Sequence, residues 1–88
     1  MTRLYEISRT IKSYGSTESL SEDQKKVLIK YKKELNEILR DNYSKEVVMK
    51  VIKKIDDKEE MVSSEEKTIS DCISFVMLID KITIKKIE

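Results

Sequence analysis

The chain has 88 residues, 40% of them charged, yet its 18 Lys and Arg nearly balance its 17 Asp and Glu, for a net charge of +1. That balance argues against a dedicated nucleic-acid binder, which carries a larger basic excess, and this length is expected to form one small helical domain, residues 1–88, with a thin core. His is absent and Cys72 is the only cysteine, which removes His-activated nucleophiles, the usual zinc and copper ligand sets, and any disulfide within the chain.

Residues 2–14 read as a first helix, because Leu4, Ile7, Ile11 and Tyr14 recur at helical spacing. Gly15 follows where a left-handed helix end favours glycine. Ser21 opens a second helix to about Arg40, with Gln24 completing a capping box and Glu22 and Asp23 in the first turn. Leu28, Tyr31, Leu35 and Ile38 mark its inner face, and the spacings Lys30–Glu34 and Lys33–Glu37 suit ion pairs on its wet side.

Ser44 caps a third helix whose apolar face is Val47, Val48, Val51, Ile52 and Ile55. Tyr43 before that cap and Val48 are spaced as a hydrophobic staple. The acidic run from Asp56 to Glu60 carries the chain onward, as a solvated segment that can still be helical.

Residues 63–82 are the element around which the others should pack. Ile69, Cys72, Ile73, Phe75, Val76, Met77, Leu78, Ile79 and Ile82 wrap most of the way round a helix, so it needs cover on several sides. The β-branched and aromatic run at 73–79 has strand character, but the Ser63/Glu66 capping box and the lack of Gly or Pro favour helix. Beyond it Ile82 and Ile84 alternate as in a strand, so a strand-like C-terminal tail is the expected exception to an all-α bundle of about four helices. Asp71, Asp80 and Lys81 bracket an apolar run too short for a membrane span.

No catalytic, cofactor or metal site stands out. Cys72 on an apolar face should be buried and inert, and the pairs Asp56/Asp57 and Glu59/Glu60 have nothing around them to build a pocket. No apolar leader core follows Met1, and with the single cysteine this suggests a cytoplasmic protein. The Ile- and Lys-rich, Ala-free composition suggests the AT-rich genome of a low-GC bacterium or phage.

By elimination the chain is expected to be a non-enzymatic protein that binds another protein as an inhibitor, regulator or immunity factor. Candidate partner-binding residues are Lys26, Lys30 and Lys33 on the back of the second helix, and Tyr5, Tyr14 and Tyr43, since tyrosine suits interfaces. The alternatives are a nucleic-acid-associated protein using the Lys-rich face, and a homo-oligomer that completes a thin core with a second copy.

The segment LSEDQKKVLIKYKKELNEILRDNYSKEVVMKVIKKI, residues 20–55, resembles the small immunity proteins of pediocin-like bacteriocins, of the enterocin A immunity type. The resemblance lies in a capped Lys/Glu-rich helix with Leu-x-x-Tyr-x-x-x-Leu spacing, a polar turn and a shorter apolar helix. It implies a cytosolic antiparallel four-helix bundle that protects its producer without enzymatic activity. No invariant motif exists in that family from which site residues could be carried over.

Overall fold

The structure, a computed structural model, describes residues 2–86. It is an all-α globule of four helices: α1 (Thr2–Gly15), α2 (Glu22–Asn42), α3 (Lys45–Asp56) and α4 (Ser64–Lys86). The apolar α4 is the common partner, covered by α2 most extensively and by α1 and α3 on other sides. α1 touches α2 only lightly, and α3 rests chiefly on α4.

Local chemistry sets the helix starts. Ser21 Oγ accepts the Gln24 N–H at 3.2 Å while Gln24 Oε1 accepts the Ser21 N–H at 2.9 Å, the reciprocal pair of a capping box. Ser44 Oγ accepts the Val47 N–H at 3.2 Å, and Ser63 Oγ the Glu66 N–H at 3.1 Å. The Glu66 carboxylate reaches back one residue further than a capping box requires, accepting the Val62 N–H at 2.9 Å.

The helix ends depart from the sequence reading. α1 runs through Gly15, which is not left-handed. Ser13 O and Tyr14 O near the end of α1 each accept a backbone N–H at 3.3 Å, from Ser16 and Thr17, and the hydroxyl of the same residue at 2.8 Å. α3 stops at Asp56 rather than continuing through the acidic run. Lys58 takes φ 58° there, Lys58 N–H donates to Ile55 O at 3.1 Å, and Glu59 N–H to Lys54 O at 2.9 Å. This is a Schellman motif with lysine where glycine is usual, and a side chain in that region costs about 1–2 kcal/mol. Lys58→Gly is therefore expected to stabilise the fold by about 0.5–1 kcal/mol, after the entropy glycine adds to the unfolded chain. A rise in the urea midpoint with an unchanged slope is the measurement; an unchanged or lower midpoint counts against it.

The strand-like tail is not formed. α4 continues through Lys86, with Thr83 Oγ1 donating to Ile79 O at 2.7 Å; Ile87 lies outside the described residues. A strand there would need an edge to pair with, and among the described residues there is none. Helical continuation keeps the backbone bonds local and turns Ile79 and Ile82 together into the core.

Leu4, Ile7 and Ile11 of α1, Leu20, Leu28 and Leu35 of α2 and its approach, and Cys72, Ile79 and Ile82 of α4 form the buried cluster. Tyr14, Tyr31, Ile38, Leu39, Phe75 and Val76 pack against it from the edge. No α3 residue belongs to it; Val51 of α3 is fully buried, as is Ile69 of α4, outside that cluster. Among the described residues no helix is long and apolar enough to cross a membrane.

Candidate functional site

Because α3 leans on α4 and barely on α2, its apolar face is wider than the surface it covers. Val48, Ile52 and Ile73, which the sequence puts among the leading core residues, are only half-buried. They line an open groove instead, together with Leu39 and Tyr43 at the C-terminal end of α2, Met49 of α3, and Val76 and Met77 of α4. The groove holds about 510 Å³, and among the described residues its only polar or charged side chains besides the Tyr43 hydroxyl are Asn36, Arg40 and Lys45. Met49 and Met77 are more than half exposed on its walls. Methionine is flexible and polarisable, and suits a surface that adapts to an apolar guest.

One end of the α3 wall is clamped electrostatically. Glu66 is buried, and its carboxylate accepts from Lys54 Nζ at 2.9 and 3.0 Å, with Lys50 Nζ at 4.0 Å. The Val62 N–H, then the Lys54 ammonium, hold this carboxyl below the usual carboxylate range against the opposing effect of burial. A folded-state pKa below the unfolded value means stability present above the unfolded carboxylate range and lost as pH falls through the folded pKa. Glu66→Gln is accordingly expected to lower the urea midpoint at pH 7 more than Arg3→Ala does, because Arg3 is exposed. The wild-type and Glu66→Gln midpoints should converge as pH drops below about 4, the lower side of the ordinary carboxylate range. Parallel midpoints across that range would rule out the clamp.

Other pairs tie the remaining helices. Arg3 grips Glu34 with two nitrogens, Nη2 to Oε1 at 2.7 Å, and its guanidinium lies 5.3 Å from the Tyr31 ring centre. That bond holds the Glu34 carboxyl below its usual range. Lys32 Nζ donates to Asp80 at 2.7 Å, joining α2 to α4. The local pairs expected at Lys30–Glu34 and Lys33–Glu37 are not among the ion pairs of the described residues, and Glu34 turns to Arg3 instead.

The candidate residues separate into different regions. Lys26, Lys30 and Lys33 are exposed on α2, and Lys33 lines a shallow hollow with Ile29, Lys32, Asn36, Glu37 and Arg40. That hollow shares Asn36 and Arg40 with the apolar groove, so the two lie side by side along α2. Tyr43 lies in the groove itself; Tyr5 is exposed on α1 beneath Arg9, and Tyr14 is half-buried against the core. Met49 falls outside the apolar face read for the third helix and Met77 reads as core within residues 63–82, so neither stands out as a binding residue in the sequence. Comparison of the chain with protein families, curated proteins and solved structures finds no match.

Proposed function

We propose that this protein acts without catalysis, by binding another protein in the groove between α2, α3 and α4 and so inhibiting or regulating it. Protection of a producing cell, as in an immunity protein, is one form such a role takes. The observation that supports the reading is the run of half-buried and exposed apolar side chains, Tyr43, Val48, Met49, Ile52, Ile73 and Met77, gathered on one concave face. Apolar surface collected in this way serves binding far better than scattered exposed residues do.

A photocrosslinking side chain at Tyr43 in the native cell is expected to give a covalent adduct with a protein. Met49→Glu with Met77→Glu should cut its yield about tenfold or more, as loss of central anchors does, and leave helicity intact because both residues are exposed. Charge reversal at Lys26, Lys30 and Lys33 should slow association without abolishing the adduct. Adducts that form only from Lys26, or that join nucleic acid and vanish steeply with salt, would place function on the Lys-rich face and overturn the reading.

A further inference from the structure

We infer that the occupant of the groove is an amphipathic α-helix of a partner protein whose apolar stripe is flanked by carboxylates. The inference rests on the groove being a protein-binding site and adds the chemistry of what it binds.

The walls decide the backbone of the guest. An extended peptide laid on Val48, Ile52, Ile73 and Val76 would leave those of its N–H and C=O groups that face the walls without partners, since the lining is almost entirely apolar. No strand edge is present among the described residues to receive them. A helix bonds its own backbone and offers only side chains, at the spacing that fits a groove between helices.

The charges decide its flanks. Among the described residues no acidic one lines the groove, whereas Arg40 and Lys45 do. The adjoining hollow adds Lys32 and Lys33 against Glu37 alone. Lys32 is engaged with Asp80 and Arg40 with Asp41, but Lys33 and Lys45 make no ion pair among the described residues. Two unpaired ammonium groups thus stand on this side of the molecule, Lys45 on the apolar groove and Lys33 in the polar hollow beside it, where carboxylates of a guest would meet them. The same pattern disfavours a second copy of this chain: an isologous interface would set each basic rim against its own image.

The test uses two synthetic helices of about 18 residues with the same Leu stripe, one flanked by Glu and one by Lys. Binding is read from the methyl NMR signals of the methionines, with Met61 as the reference outside the groove. The Glu-flanked helix is expected to shift Met49 and Met77, and to bind about tenfold or more tightly than the Lys-flanked one. Lys33→Glu with Lys45→Glu should erase that preference without harming the fold, since neither lysine is paired and an acid suits the first turn of α3. Equal shifts by both peptides would keep the groove as a binding site and overturn the acidic partner. No shift by either peptide would overturn both. Tighter binding of laurate than of the Glu-flanked helix, or groove shifts that track protein concentration with a doubled mass in sedimentation, would replace the helix by an anionic amphiphile or a second copy.

Discussion

Leu35→Ala is expected to destabilise the protein by about 2–5 kcal/mol, the range for a leucine removed from a closed core. Leu35 is fully buried in the cluster that joins α1, α2 and α4. A chain of this length has a total stability of only about 4–13 kcal/mol, so the loss is a large share of it. Each kcal/mol lowers the melting temperature of so small a domain by about 4–8 °C. Thermal melts followed by circular dichroism should therefore show a fall of about 8 °C or more. Met77→Ala, on the exposed wall of the groove, should stay within about 0.5 kcal/mol of the parent. Equal melts for the two variants would mean that the helices are not packed around Leu35 as described.

The second large effect concerns thiol chemistry. Cys72 is fully buried on α4, and burial, with the charge of Asp71 behind it, pushes its thiol up to about 11. At pH 8 this leaves about a hundredfold less thiolate than in an open chain, and the thiolate is the species that reacts. Burial adds to this, since a reagent must wait for the core to open. Native labelling is expected to run at least about a hundredfold slower than labelling in denaturant, followed by thiol-reagent absorbance at pH 8. Comparable rates would show an accessible sulfur. Cys72→Ser puts a hydroxyl in the same apolar site and should cost about 1–3 kcal/mol.

The parts of the fold that were legible in the sequence are those decided within one helical turn. Ser21, Ser44 and Ser63 each announce a helix because their partner lies three residues ahead, and all three caps are made. The reading of 63–82 as a central helix holds for the same reason, its ends being marked locally while its surplus of apolar faces asked for several neighbours. Misreadings arise where two local endings compete, or where a distant residue decides. Gly15 suggested a left-handed stop, but hydroxyls of Ser16 and Thr17 close α1 without one. Lys58 adopts a glycine conformation with no glycine to announce it. Glu34 has Lys30 at helical spacing and chooses Arg3, whose guanidinium offers two parallel donors. The groove was hidden most fully: the apolar faces of α3 and α4 were plain, but how much of each the other covers depends on how α3 lies against α4.

That α4 is the shared partner of three helices with little to say to one another also bears on how the polypeptide is made. Synthesis delivers α1, α2 and α3 before α4, at about 5–20 residues per second. Until Cys72, Ile79 and Ile82 emerge, Leu4, Ile7, Leu28 and Leu35 lack the surface that buries them together. The nascent chain thus spends a few seconds with its apolar faces unclaimed. With 40% of its residues charged, the growing polypeptide carries those apolar faces between strongly hydrated side chains until α4 gathers them.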